Sequence, residues 1–163
     1  LSRWSFPDRD PDFQTWALAE TQSYGVTDAG EQREALSRAR RLLTRFQGSL
    51  LYREMNAAAV RLGEVPYSVI GADGALDSGI IDALYRGDSG WTLVEFKTDH
   101  VRSPEQREEL LSKEDYVPQV KRYLYACRQL LPHDADGSAP TIRPVLCFLD
   151  HERGVYLVEN RWK

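Results

Sequence analysis

Two apolar segments joined by a tight loop constrain the fold of this chain more than any other feature of its sequence. Residues 76–86 and 91–97 have the β-branched and aromatic content of strands, and the loop Gly87–Gly90 between them is typical of a hairpin. Folding about the centre of this loop pairs residues whose numbers sum to about 177. The simplest register therefore places Asp82 opposite Glu95 on neighbouring strands.

The acidic residues of this hairpin lie beside a lysine. Alternate residues of a strand share a face, so Glu95 and Lys97 point to one side while Phe96 points to the other. Two adjacent carboxylates repel each other, and a divalent cation removes that repulsion. Oxygen ligands suit Mg²⁺ or Mn²⁺, and a lysine beside the ion could hold the attacking water or neutralise a phosphate. The pattern indicates metal-assisted phosphodiester hydrolysis by Asp82, Glu95 and Lys97. Two alternatives are acids exposed on a half-solvated sheet and a plain salt bridge from Lys97.

The rest of the chain reads as helices followed by a mixed set of strands and helices. Asp28 and Ser49 are predicted caps, and Gly63 is the predicted end of the third helix. Residues 99–115 resemble a mobile insertion that is partly helical. The predicted helices are 11–24, 28–47, 49–62 and 116–131, and the remaining predicted strands are 65–69, 141–149 and 155–160.

This order of elements predicts an α/β fold with a central sheet covered by helices. We expect one compact domain, with an N-terminal helical part at 1–63 and a core at 64–163.

The charge of the chain limits how it could bind nucleic acid. Its net charge is −4, which excludes a basic coat and leaves only a local patch. Arg38, Arg41 and Arg45, with Arg53 and Arg61, could contact phosphates. The alternative that the sequence favours is an ordinary solvated helix face.

The sequence also bears on where the protein is located and on whether the chain is part of a longer one. No apolar run approaches the roughly 20 residues of a membrane span, and no signal peptide is visible. Two cysteines, Cys127 and Cys147, cannot build a disulfide framework and are expected in the core. We expect a cytoplasmic protein. Because the chain begins at Leu1 and its one methionine is Met55, we also expect a piece of a longer protein.

Several motifs in fixed order resemble a known family. Gly-Ile-Ile-Asp at 79–82, Glu-Phe-Lys-Thr-Asp at 95–99 and a Tyr-x-x-Gln-x-x-x-Tyr helix at 116–123 resemble the PD-(D/E)XK nuclease domain of RecB type. The likeness is closest to the C-terminal nuclease domain of AddA-type, UvrD-like helicase–nucleases. Glu-Val-Pro-Tyr-Ser at 64–68 resembles the family's first strand. The resemblance covers about residues 28–160 and implies a restriction-endonuclease-like fold.

The resemblance also implies roles for individual residues. Asp82, Glu95 and the main-chain carbonyl of Phe96 would bind Mg²⁺ or Mn²⁺, and Lys97 would be the catalytic lysine. Two residues of the predicted helix 116–131 would line the site, contacting the DNA strand or orienting the lysine. These two residues are Gln119 and Tyr123.

Some of these roles have alternatives. Core packing explains Tyr123 equally well, and it is a weaker alternative for Gln119. For Glu64, at the start of the predicted first strand, a structural or supporting role is favoured over metal ligation.

The histidines depart from the family pattern. RecB-type members carry a metal-binding histidine on a helix before the first strand, whereas His100, His133 and His151 all follow Glu95. The expected ligand therefore precedes Leu1 or is absent. His100 is expected in a loop. Two cysteines cannot ligate the four-cysteine iron–sulfur cluster of some relatives, so no iron–sulfur cluster is expected.

The resemblance implies a Mg²⁺-dependent exonuclease domain of an ATP-dependent helicase–nuclease that acts in double-strand-break processing, recombination and DNA repair. The implied partners are DNA, as a single strand delivered by a helicase domain of the same chain, and a second helicase–nuclease subunit; no membrane partner is expected. One alternative is a catalytically incomplete module that guides DNA or docks a protein. Another is a free-standing repair or restriction nuclease.

Overall fold

The computed structural model describes residues 10–71, 74–134, 136–159 and 161–162. Within these residues, five helices and five strands follow one another in an order close to the predicted one. The elements are α1 (Asp10–Ser23), α2 (Ala29–Gln47), α3 (Leu50–Ala57), β1 (Val60–Ile70), β2 (Leu76–Gly87), β3 (Gly90–Val101), α4 (Pro104–Lys113), α5 (Tyr116–Leu130), β4 (Ile142–His151) and β5 (Gly154–Val158).

The strands form one mixed sheet in the order β1-β2-β3-β4-β5. Every neighbouring pair is antiparallel except β3 and β4, which are parallel. A parallel pair needs a crossover connection, and α4 and α5 supply it between β3 and β4. The predicted α/β class, a central mixed sheet flanked by helices with a helical N-terminal segment, is confirmed.

Helices cover both faces of the sheet, each over its own hydrophobic cluster. On one face α4 and α5 pack over side chains that include Leu93, and on the other α2 and α3 pack over side chains that include Val94. Phe46 of α2 is fully buried, with ring centroids 5.5 Å from Tyr52 and 5.1 Å from Phe96. Because strand residues alternate in direction, Glu95 and Lys97 fall on the α5 face and Phe96 on the α2 face.

The predicted hairpin register is confirmed. The described pairs run from Gly87–Gly90 to Ala83–Val94, and the numbers of each pair sum to 177, the predicted value. If this register were continued by one step, Asp82 would lie opposite Glu95. Beyond Ala83 and Val94, the described pairs of β2 are with β1 and those of β3 are with β4. The two strands therefore part where the predicted acidic residues lie.

The turn of this hairpin depends on Gly90. Its φ is +106°, and a Cβ there would lie 2.7 Å from the Thr141 carbonyl oxygen. We expect Gly90→Ala to lower the free energy of unfolding by about 2–3 kcal/mol, since it adds backbone strain to a clash with main chain. Urea denaturation measures this. Gly87→Ala is the matched control, because its Cβ would meet nothing within 4 Å; an equal loss in both variants would contradict the account.

The predicted end of the third helix is wrong. Helix α3 begins on the predicted cap, with Ser49 Oγ accepting the Tyr52 N–H, but it ends at Ala57. Residues from Val60 onward pair with the second half of β2, so Gly63 lies within β1 and terminates no helix. The cross-strand partners along β2 override the local helical preference here. The division of the chain at residue 63 stays a prediction.

The segment 99–115 is more regular than predicted. Its first three residues extend β3 to Val101, so His100 lies on a strand and not in a loop. Ser103 then caps α4 by accepting the Gln106 N–H, and Pro104 occupies the first turn, where no N–H is needed. Among the residues described, no helix is both long and apolar enough to cross a membrane.

Candidate active site

The structure brings Asp82, Glu95 and Lys97 together where β2 and β3 part. Lys97 Nζ lies 2.9 Å from Glu95 Oε1. Asp82 Oδ2 accepts a 2.8 Å hydrogen bond from the Phe96 N–H, which fixes the Asp82 side chain across to β3. Glu95 is only 4% exposed, although it is an acidic residue. A buried acid beside a second acid and a lysine is the arrangement that the sequence predicted.

Helix α5 completes the surroundings of Lys97. Its ammonium donates to Gln119 Oε1 at 2.9 Å and lies 4.3 Å from the centroid of the Tyr116 ring. The salt bridge to Glu95, left open as an alternative by the sequence, is present as well. Lys97 is thus held by an anion, an amide oxygen and an aromatic face, which together fix the position of its charge.

Burial changes the acidity of Glu95. Desolvation and the nearby Asp82 carboxylate raise its pKa to about 7, although the Lys97 ammonium opposes both effects. Glu95 Oε2 is buried and has no hydrogen-bond partner among the residues described. An unpartnered buried carboxylate oxygen is costly, so this atom calls for a donor or a cation.

Tyr123 supports the site from behind. It is 6% exposed, its ring packs edge-on to Tyr67 at 5.6 Å, and its hydroxyl oxygen accepts a 2.7 Å hydrogen bond from Gln119 Nε2. Burial raises the pKa of this hydroxyl. Tyr123 therefore combines core packing with orientation of Gln119, and Gln119 in turn orients Lys97.

Asp99 is a site residue that the sequence reasoning missed. The Tyr116 hydroxyl donates to Asp99 Oδ2 at 2.9 Å, and burial raises the pKa of Tyr116 above the ordinary tyrosine range. Two spacings could have pointed to this contact. Tyr116 lies one helical turn before Gln119, and Asp99 lies two residues after Lys97 on the same strand face.

Glu64 adjoins the site through the backbone. It lies between the paired residues Gly63–Ala83 and Val65–Ile81, at the β1 position opposite Asp82. Its φ is +50°, in the left-handed region, which strands of L-residues do not adopt. The side chain is exposed. This geometry fits a structural role at a break in the ladder.

The clustered side chains that could bind a cation are few in this structure. Within the described part of the chain, no group of three or more His, Cys, Asp or Glu side chains is placed to hold a metal ion. His100 contacts Asp150 at 3.4 Å, on the face of the sheet opposite Glu95. Both cysteines are buried in the core, as predicted, and burial raises the pKa of Cys127 to about 11.

A cavity of about 610 Å³ lies elsewhere, at the closed end of the β2–β3 hairpin. Glu54, Tyr85 and Arg143 line it and are joined to one another by hydrogen bonds. None of the predicted site residues is part of its lining.

A comparison with protein families agrees with this geometry. A profile described as the PD-(D/E)XK nuclease superfamily matches residues 7–160, nearly the whole chain. The chain therefore belongs to the PD-(D/E)XK nuclease superfamily, as its motifs predicted.

One relative points to a narrower relationship within the superfamily. The chain is 30% identical, over an alignment of 121 positions, to one of the subunits of an ATP-dependent helicase/nuclease from Heliobacterium modesticaldum. The alignment covers 66% of this chain but 8% of that protein. The similarity supports the predicted AddA-type relationship.

Proposed function

We propose that this chain is a metal-dependent deoxyribonuclease domain whose active site consists of Asp82, Glu95 and Lys97. Membership of the PD-(D/E)XK nuclease superfamily supports phosphodiester hydrolysis as the reaction. The observation that carries the proposal is the cluster at the divergence of β2 and β3, where a buried acid, a second acid and a fixed lysine meet.

The residues present fit a hard divalent cation. Nucleases of this superfamily generally use divalent metal ions. Glu95 Oε2 is buried without a partner among the described residues, and oxygen-only donors favour Mg²⁺ or Mn²⁺. Asp82, Glu95 and the main-chain carbonyl of Phe96 would hold the ion. When bound, it would lower the pKa of a water molecule and stabilise the charge that develops on the phosphate.

The chain's own groups supply the rest of the chemistry. Lys97 presents a fixed positive charge beside the carboxylates, suited to the growing negative charge of a phosphate or to positioning a water. Gln119 and Tyr123 keep that charge in place, and Tyr116 shields one side of it. Substrate specificity then depends on what delivers a nucleic-acid strand to the gap between β2 and β3.

The relative's name supports a wider assignment. We propose that the domain acts as an exonuclease on single-stranded DNA supplied by a helicase domain of a longer chain, in double-strand-break processing and repair. A cytoplasmic location and a second helicase–nuclease subunit belong to the same proposal. The chain spans 8% of its relative, so these partners and activities would belong to a larger protein.

A second candidate function rests on one observation. Because the described residues offer two carboxylates and no third clustered ligand, the domain could be a catalytically incomplete module that guides DNA or docks a protein. The nuclease candidate predicts cleavage by the chain itself or by a longer form of it, and the incomplete module predicts cleavage by neither.

The test is degradation of linear single-stranded DNA, with Mg²⁺ or Mn²⁺ and with EDTA, by this chain and by a version extended upstream of Leu1. Metal-dependent cleavage by either form supports the nuclease. No cleavage by either form, with the fold intact by circular dichroism, supports the incomplete module.

Gln119 should matter less than the three central residues. Replacing it by Met removes one acceptor from Lys97 and the bridge to Tyr123, so we expect a loss of about 10–100-fold in cleavage rate. Gln129→Met, at an exposed position on the same helix, is the control. Cleavage by Gln119→Met at the wild-type rate would show that Lys97 needs no support from Gln119.

A further inference from the structure

A second charged cluster lies on the other face of the sheet from Glu95. Three arginines of α2 converge on Asp150, whose side chain is 4% exposed, at the end of β4. The nearest nitrogens of Arg38, Arg41 and Arg45 lie 3.4, 3.9 and 3.1 Å from its carboxylate oxygens. His100 Nδ1 lies 3.4 Å from the same carboxylate.

The charges of this arginine cluster do not balance. One carboxylate faces three guanidinium groups, so the arginines bring two more positive charges than Asp150 offsets. The side chains of Arg38 and Arg41 are 49% and 52% exposed, and that of Arg45 is 33% exposed. A salt bridge needs one arginine, so the other two present fixed, solvent-accessible charge in a chain whose net charge is −4.

The cluster is also preorganised. Residues 38, 41 and 45 follow a helical spacing of three and four, so they form one stripe about 10 Å long on α2. The buried carboxylate accepts hydrogen bonds from Arg38 and Arg45, and the Arg41 guanidinium lies 3.9 Å from it. Arg38 also donates to the Thr98 carbonyl at 2.7 Å, and Thr98 directly follows Lys97. The contact with Thr98 thus joins the stripe to the main chain of β3, while the Lys97 side chain points to the opposite face of the sheet.

The other arginines considered with this group behave differently. Arg61 donates to the Asn56 carbonyl at 2.9 Å and lies outside the stripe. Arg53 is exposed on α3 and is not among the described partners of Asp150. Of the five arginines that the sequence analysis named as possible phosphate contacts, three converge on Asp150 and two do not.

We propose that the Arg38–Arg41–Arg45 stripe binds internal backbone phosphates of a single-stranded nucleic acid, on the face of the sheet opposite Glu95 and Lys97. Guanidinium groups match phosphate oxygens in geometry and charge. A row of three along two helical turns suits successive backbone phosphates, whereas a terminal phosphate needs one enclosed pocket. The inference rests on the proposed function, since it takes DNA as the ligand.

The test is binding without cleavage. A labelled 20-nucleotide single strand is titrated with protein in EDTA, and the anisotropy is followed from about 50 to 200 mM salt. Arg41→Gln is the main variant, because the described contacts of Arg41 are limited to the 3.9 Å approach to Asp150. We expect affinity to fall roughly tenfold and the slope of log K against log salt to fall by about 0.7, the loss of one single-strand phosphate contact.

Two further variants test whether binding depends on the position of the Arg41 charge or only on the total charge of the helix. Arg41→Lys keeps the charge, so it should keep the salt slope. Arg33→Gln, exposed on the same helix but about 140° around from Arg38 by the ordinary helical twist, should bind as the wild type does. Binding should be the same for strands of different sequence and for strands with and without a 5′-phosphate.

Four results would overturn the proposal. They are absence of binding by the wild type, unchanged affinity and slope in Arg41→Gln, an equal loss in Arg33→Gln, and binding that requires the terminal phosphate. Cleavage plays no part in the assay. If the protein binds the strand as expected but no form of it cleaves DNA, the proposed function is refuted and the phosphate stripe stands. If the protein cleaves DNA but Arg41→Gln binds as the wild type does, the phosphate stripe is refuted and the proposed function stands.

Discussion

Asp82→Asn and Lys97→Met should each reduce DNA cleavage at least 10²–10³-fold while leaving the fold intact. The asparagine can still accept the Phe96 N–H, so the β2–β3 contact survives while the charge is lost. The methionine keeps much of the length of Lys97 but removes the charge that faces the phosphate. Preorganised charge of this kind is worth several kcal/mol in a transition state. Initial rates on linear single-stranded DNA, in whichever form of the chain cleaves, measure the effect.

Matched controls exist for both changes. Asp88→Asn, exposed in the hairpin loop, and Lys121→Met, exposed on α5, make the same chemical substitutions outside the cluster. Both should cleave at the wild-type rate and unfold at a similar urea concentration. Near-normal cleavage by Asp82→Asn and Lys97→Met would remove these residues from the chemistry.

In metal-free protein, the Glu95 carboxyl should make the free energy of unfolding depend on pH, and Glu95→Gln should remove this contribution. The folded pKa of Glu95 is about 7, above its ordinary value of 4.5, because burial and Asp82 disfavour the charged form. The native state therefore holds this proton more tightly than the unfolded state does. The free energy of unfolding should fall as pH rises from about 4.5 to 7, by on the order of 3 kcal/mol, and then level off.

Urea unfolding in EDTA at pH 5 and pH 8 measures this dependence. The stability of Glu95→Gln relative to wild type should improve by on the order of 3 kcal/mol between the two pH values. Glu34→Gln, an exposed helical position, should show the same pH dependence as the wild type. A parallel pH profile in wild type and Glu95→Gln would mean that Glu95 is already ionised at low pH.

Local chemistry made much of this structure predictable. The Asp28 cap, which accepts the N–H groups of Gly30 and Glu31, and the register from Gly87 to Ala83 follow from short-range rules. That register alone placed Asp82 opposite Glu95. Alternation along β3 then put Lys97 on the same face, so the centre of the site could be derived from a few consecutive residues.

The remaining features depend on contacts between distant segments. The early start of β1 reflects pairing of Val60 with Arg86, which no local pattern of 49–62 contains. The hydroxyl of Tyr116 on Asp99 and the arginines on Asp150 join residues 17 to 112 positions apart. The sequence favoured a solvated helix face for Arg38, Arg41 and Arg45. Their anionic partner, Asp150, could not be identified from local patterns, because it lies at the end of a strand far along the chain.

Calorimetric titration with Mn²⁺ at pH 8 measures whether Asp82 and Glu95 bind a divalent ion. We expect saturable binding to the wild type, a large loss of affinity in both Asp82→Asn and Glu95→Gln, and unchanged affinity in Asp88→Asn. Equal Mn²⁺ binding by all four proteins, or none by the wild type, would contradict this expectation.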